Sequence, residues 1–208
     1  MRVWRIAAAS ALALGAAGCN RSGAPSADNA MELSCAVFAD ATAVSLAERY
    51  GAENVVQQTV PGPEGSEYEA TVLFPDEPMR RAEVTWRDGE GRAQISDITI
   101  SGERSDWVGP HGVHIGQSLD DVASNNGGGF TLYGFAWDYG GWVSNWNGGA
   151  FAPVEGCVTH VRFQPSAGDY AGGADGATLF ASDSEGVLSA EARVAEFGLG
   201  FSGDEAAQ

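Results

Sequence analysis

The apolar and polar positions of this chain change period several times along its length. Around residue 45 they follow a helix. Val44, Ala47 and Tyr50 share one face if the helix starts near Asp40. Ser45-Leu46-Ala47-Glu48 places an acid three residues after a Ser, the spacing of a capping box, and Gly51 supplies a stop. The same order returns at Ser118-Leu119-Asp120-Asp121, with Gly127 as its stop. After each helix the period drops to two. Tyr68, Ala70, Val72 and Phe74 alternate with Glu67, Glu69, Thr71 and Leu73. Ala82, Val84 and Trp86 alternate with Arg81, Glu83, Thr85 and Arg87. Pro75 to Pro78 and Asp88-Gly89-Glu90-Gly91 are the turns, and the alternation is that of half-buried antiparallel strands. Arg92 to Ile100 is the next strand. Ile95 there is out of phase with Ile98 and Ile100, and a bulge near Ser96-Asp97 restores the register. In the second stretch, Phe130 to Trp137 and Trp142 to Trp146 flank the turn Asp138-Tyr139-Gly140-Gly141. Cys157, Thr159, Val161 and Phe163 alternate, and Ala195, Phe197, Leu199 and Phe201 form a last strand. Ser182 to Glu185 is a further capping box, followed by a weakening Gly186. The pattern predicts an α+β chain: short capped helices on a mostly antiparallel β-sheet.

The first residues obey a different rule. Arg2 and Arg5 precede an uncharged run from Ile6 to Gly18, too short to span a bilayer, which is the order of an export signal. The ending Ala16-Ala17-Gly18-Cys19 resembles the lipobox of bacterial lipoproteins. That resemblance implies that residues 1–18 are removed and that Cys19 becomes a lipidated first residue carrying three acyl chains. The open alternative is an ordinary signal peptide with a coincidental Cys. One buried chain gives marginal membrane binding, whereas several hold firmly. Residues 19–33 then read as the lipidated Cys and a polar tether; Asn20 to Met31 reaches at most about 40 Å when extended. If Cys19 is lipidated, Cys35 and Cys157 remain in an oxidising compartment, which suggests one disulfide, with two unpaired buried Cys as the alternative. The expected location is the cell envelope, with the outer membrane facing the periplasm favoured because Asn20, not Asp, follows the Cys.

The capped helix leading into a meander, repeated once, looks like the tandem units of the β-lactamase-inhibitor-protein-like fold, a unit also found in small envelope assembly lipoproteins. The resemblance rests mainly on Ile115-Gly116-Gln117-Ser118-Leu119-Asp120-Asp121-Val122. It implies one unit over residues 34–105, another over 106–202, and a tail at 203–208. It also implies a concave sheet face as a protein-contact surface. Separately, the aromatic and glycine-rich run from Gly129 to Gly141, with Trp146 and Gly148-Gly149 beyond, resembles a family of uncharacterised exported bacterial lipoproteins, which carries no activity to transfer.

Charge narrows the partners. The 208 residues hold 28 acidic against 11 basic side chains, a formal charge of -17, and every basic residue other than His is Arg. Loss of Arg2 and Arg5 with the leader makes the balance more negative still. Phosphate binding needs a basic stripe, so nucleic acid is excluded, and anionic headgroups repel such a surface. Membrane attachment must come through acyl chains on Cys19.

Candidate chemistry is sparse. Tyr133, Phe135, Trp137 and Tyr139 are expected on one strand face, and Trp142 and Trp146 on the next. Such an aromatic shelf stacks sugars, holds a peptide, or packs as core. Tyr133, Trp137, Tyr139, Trp142 and Trp146 are therefore the candidate binding residues. Asp138 is explained by turn chemistry or by an acid-base role. His111 and His114 have metal-sharing spacing but no third ligand, and His160 faces away from Cys157 and Val161. Asp120 and Asp121 suit the first turn of a helix through the macrodipole. Asp169, Asp175, Asp183 and Glu185 do not match the calcium-loop template. Gly198-Leu199-Gly200-Phe201-Ser202-Gly203 fits the dinucleotide glycine pattern, without the helix that a phosphate site needs after it. Nucleophile-elbow, P-loop and zinc-protease motifs are missing. No cofactor is expected. The sequence favours a non-enzymatic, lipid-anchored envelope protein that binds another protein; the rivals are a peptidoglycan-type glycan binder and a periplasmic enzyme around Asp138 and His111.

Overall fold

The computed structural model describes residues 30–166 and 173–202. The leader, Cys19, most of the tether, Asp169 and the 203–208 tail lie outside the described residues. In chain order the elements are β1 (Met31–Glu32), α1 (Cys35–Phe38), α2 (Ala43–Tyr50), β2 (Val55–Pro61), β3 (Glu67–Leu73), β4 (Ala82–Trp86), β5 (Ile95–Ser101), β6 (Trp107–Val108), α3 (Leu119–Asn126), β7 (Thr131–Tyr133), β8 (Val143–Asn145), β9 (Cys157–Gln164), β10 (Leu179–Ala181), α4 (Glu185–Leu188) and β11 (Arg193–Phe201). The class is α+β, with short helices on mostly antiparallel sheet.

Both long helices stop and start as polar chemistry directs. In α2 the N-cap is Thr42, not Ser45. Thr42 Oγ1 accepts from the Ser45 amide at 3.1 Å, and Ser45 Oγ accepts from the Thr42 amide at 2.9 Å. The helix thus starts at Ala43 instead of near Asp40. In α3, Ser118 is the cap and accepts from the Asp121 amide, and Gly127 ends the helix in the left-handed region.

The principal sheet has six strands in the order β2-β3-β4-β5-β11-β9, every neighbour antiparallel. The meander β2 to β5 belongs to the 34–105 stretch, and β11 and β9 of the 106–202 stretch extend it, so both stretches share one sheet. The expected bulge is present: Thr85 pairs with Asp97 and Trp86 with Ile95, leaving Ser96 as the extra residue. A second, three-stranded sheet runs β10-β7-β8. The strand expected from Phe130 to Trp137 is cut short at Tyr133, because Ala136 takes a left-handed conformation (φ 63°) that no strand accommodates.

One face of the six-stranded sheet is core. Val84, Ile98, Ile100, Val161, Phe197 and Leu199 are wholly buried there, in one cluster with Phe38, Leu46, Val122 and Trp107. Each such side chain contributes roughly 1.5–3 kcal/mol by leaving water. Phe130, Trp146, Phe151 and Phe163 stack within the same cluster. Cys35 and Cys157 form a disulfide, with Cα atoms 6.1 Å apart, tying α1 to the edge strand β9. The opposite face carries a small apolar patch, Val60, Ala70 and Val72, and most of its other side chains are polar.

Candidate functional site

The polar face is built by the polar half of each strand's alternation. Register lines its residues up in rows across the sheet. His160, Gly198, Thr99, Glu83 and Val72 form one row; Arg162, Glu196 and Ser101 form the next; Val158, Gly200, Asp97 and Thr85 lie on the other side. Glu83, Asp97, Thr99, Ser101, His160, Arg162 and Glu196 of these rows, together with the segments around Gly62 and Tyr139, line a groove of about 980 Å³.

Two glycines shape its floor. Gly198 and Gly200 sit where large side chains would otherwise stand. The His160 imidazole leans from β9 across β11 and over Gly198. Its Nε2 comes within 2.9 Å of Asp97 Oδ2 on β5, two strands away. A Cβ on Gly198 would meet His160 Cε1 at 2.5 Å and Nε2 at 2.7 Å, and would also collide with the Ile98 carbonyl. Gly198 of the spurious dinucleotide motif thus has a packing reason. The angle of the His160–Asp97 approach does not make it a hydrogen bond, and Nδ1 has no hydrogen-bond partner among the described residues. Asp97 Oδ1 accepts from Thr99 Oγ1 at 2.8 Å.

Carboxylates dominate the rest of the floor. Glu83 accepts from Arg81 at 2.9 Å and from the Tyr68 hydroxyl at 3.2 Å. Burial, reinforced by Glu83, pushes the Tyr68 phenol up to about 12. Burial likewise raises the Glu196 carboxyl above its ordinary range. Arg162 and His160 oppose that rise, while Asp97 and Glu83 add to it. Arg162 lies 3.9 Å from Glu196, beyond hydrogen-bond reach.

The wall is aromatic. Gly134 to Trp142 leaves β7, doubles back and is stitched to β9: the Phe163 amide donates to the Gly141 carbonyl, and Arg162 Nε donates to the Gly140 carbonyl at 3.1 Å. Gly141 is required, since its φ is 80° and a Cβ there would strike the Phe163 carbonyl. The loop presents Trp137, Asp138, Tyr139 and Trp142 to the groove. Trp137 Nε1 donates to the Gly134 carbonyl at 2.9 Å, and its ring meets Tyr133 and Tyr139 edge-on at 5.7 and 5.4 Å. Trp142 packs at 5.5 Å against the His160 ring, joining wall to floor.

The sequence-derived candidates therefore divide. Trp137, Tyr139 and Trp142 line the groove, and Tyr133 supports Trp137 from behind. They come together through a turn, not along one strand face. Phe135 is core, and so is Trp146, 6% exposed: its ring stacks on Phe151 at 4.7 Å and its Nε1 donates to the Thr159 carbonyl at 3.0 Å. Trp146 leaves the candidate surface because its indole N–H finds a partner inside. Asp138 and His111 do not converge. The His111 ring packs on Phe151, and the imidazole that shares the groove with Asp138 is His160. His114 Nδ1 sits 2.9 Å from the Gly112 carbonyl. Among the described residues no group of three or more His, Cys, Asp or Glu is placed to hold a metal ion.

Glu83, Asp97, His160, Arg162 and Glu196 were not singled out as a site by sequence. Their signal was present as the polar half of each alternation, but only the strand order brings them side by side. Compared with known proteins, the chain matches no family model, no curated protein and no solved structure.

Proposed function

We propose that this is a lipid-anchored cell-envelope protein that binds a saccharide chain in the groove of its six-stranded sheet. The observation that carries the reading is the pairing of an aromatic wall, Trp137, Tyr139 and Trp142, with a floor of hydrogen-bonding side chains. Sugar rings offer apolar C–H faces to aromatic rings and hydroxyls to carboxylates, hydroxyls and imidazoles; a stacked ring contributes about 1 kcal/mol. The lipobox-like ending at Cys19 supports a position at the membrane surface, where envelope glycan is within reach.

A protein partner on the same face is less well supported. Protein interfaces centre on a desolvated apolar core. Of the exposed large apolar residues, Tyr68, Tyr139 and Val158 lie on the groove face among charged side chains, and Val44, Met79, Val154, Leu179 and Leu188 lie on other parts of the chain.

Tryptophan emission tests the saccharide reading. Among the described residues Trp107 and Trp146 are buried and Trp86 is not part of the groove lining, so a ligand in the groove acts on Trp137 and Trp142. Soluble peptidoglycan fragments should change the emission saturably in the parent protein and not in Trp142→Ala. No change at saturating fragment concentration would remove the proposal. The anchor is tested apart from it: labelled palmitate should appear on the parent chain and vanish in Cys19→Ser.

A further inference from the structure

We infer that the groove selects a saccharide carrying free amino groups, with an ammonium seated between the indoles of Trp137 and Trp142 and the carboxylates of Asp138 and Glu196. This rests on the saccharide reading and narrows it. The charge of the groove is lopsided. Glu64, Glu83, Asp97, Asp138 and Glu196 line it, against Arg162 and His160. Arg81 offsets Glu83, which leaves the balance acidic. Carboxylates only accept hydrogen bonds; the hydroxyls of a neutral sugar can donate to them but leave their negative charge unbalanced, and an anionic ligand is repelled. An ammonium brings three donors and a charge. Glu196 is the carboxylate most in need of one: it is largely withdrawn from water, and its nearest cation, Arg162, stands at 3.9 Å.

The wall favours the same chemistry. Tryptophan has the strongest cation-attracting face of the side chains, and tyrosine follows. Trp137 and Tyr139 are held edge-to-face on the loop, and Trp142 is propped against His160, so their faces are ordered before any ligand arrives. Acetylating the amine of a sugar removes the charge and two of the three donors while leaving the ring that stacks. Acetylation state is therefore the property this groove distinguishes best.

The test uses the purified full chain in non-ionic detergent, titrated calorimetrically with three probes: the β-1,4 tetramer of N-acetylglucosamine, the same tetramer fully deacetylated, and tetralysine. The deacetylated tetramer should bind about tenfold more tightly than the acetylated one, a difference of ~1.4 kcal/mol. The preference should narrow as salt rises and shrink in Asp138→Asn, an exposed turn position whose exchange leaves the core untouched. Equal binding of the two tetramers, or tighter binding of the acetylated one, would overturn the inference and leave the saccharide reading standing. If neither tetramer binds, both go. Tetralysine binding as tightly as the deacetylated tetramer would mark a site for cationic peptides and overturn the inference. So would an undiminished preference in Trp142→Ala, because the amine would then be responding to the general negative charge of the surface.

Discussion

Gly198 decides where His160 goes. With no side chain on β11 at that point, the imidazole crosses the strand and reaches Asp97. We expect Gly198→Ala to destabilise the protein by about 1–3 kcal/mol, the usual cost of forcing extra atoms into a packed site, and to move the His160 ring signal in an NMR spectrum. An Ala variant with parent stability and an unmoved ring would show that His160 is not held by that contact. Glu196 carries a different prediction. A carboxyl whose folded-state pKa lies above its ordinary value holds its proton more tightly folded than unfolded. That contribution is fully present below the ordinary value of 4.5 and is lost as pH rises through the raised one. Above that range ionising Glu196 is a net cost, so Glu196→Gln should raise Tm at neutral pH. The gain should disappear when melting is measured near pH 4. A Tm that falls at neutral pH would mean that attraction to Arg162 outweighs desolvation. Gly198 stood out in the sequence only as part of a spurious dinucleotide pattern, and Glu196 not at all, since a glutamate in an alternating pattern is ordinary there.

At the scale of elements, local signals were legible and their exceptions have local causes. The cap of α3, the Gly127 stop and the bulge at Ser96 follow from side chains within a few residues of one another, as does the Thr42 cap of α2, which the sequence suggested at Ser45. The aromatic segment is the exception. Its alternation suggested a strand, but Phe135 is pinned by a distant partner: its amide donates to the Ala174 carbonyl, and its own carbonyl accepts from Gly176. The chain then turns at Ala136 and sends Trp137 toward the groove. A second distant tie is Asn126, the last residue of α3, which is buried. Its Nδ2 donates to the Gly128 and Trp146 carbonyls at 3.1 and 3.0 Å, and its Oδ1 accepts from the Phe151 amide at 3.2 Å. It bolts the helix to the loop that carries Trp146 and Phe151. Asn126→Ala should cost about 3 kcal/mol, because it strands buried backbone groups without partners. Chemical denaturation measures this directly, and a loss below about 0.5 kcal/mol would mean that solvent replaces the amide.

For the whole molecule, the disulfide and the strand order do the joining. Cys35 and Cys157 are 122 positions apart, and linking them restricts the unfolded chain. On the chain-entropy account, replacing both with Ser should lower stability by about 5 kcal/mol, read as a fall in the urea midpoint with an altered slope. Similar midpoints for the two proteins would place the bridge's role elsewhere. The same sheet that the bridge braces makes the groove: β11 inserts between β5 and β9, so Glu196 comes to lie beside both Ser101 and Arg162.

By itself the sequence determined what can be decided within a few residues: the Ser118 cap of α3, strand alternation, turn positions, a bulge, and the α+β class they add up to, whereas the cap of α2 fell at Thr42 and Ser184 before α4 makes no side-chain cap. It also carried the acidic balance of the chain. Only the tertiary structure decided which aromatics are core and which face the groove, because burial depends on what packs from outside the segment. It alone decided that His160 meets Asp97 and that Glu196 stands among other carboxylates. Strand order is set by long-range packing of apolar faces, and no local pattern encodes which strand will lie next to which.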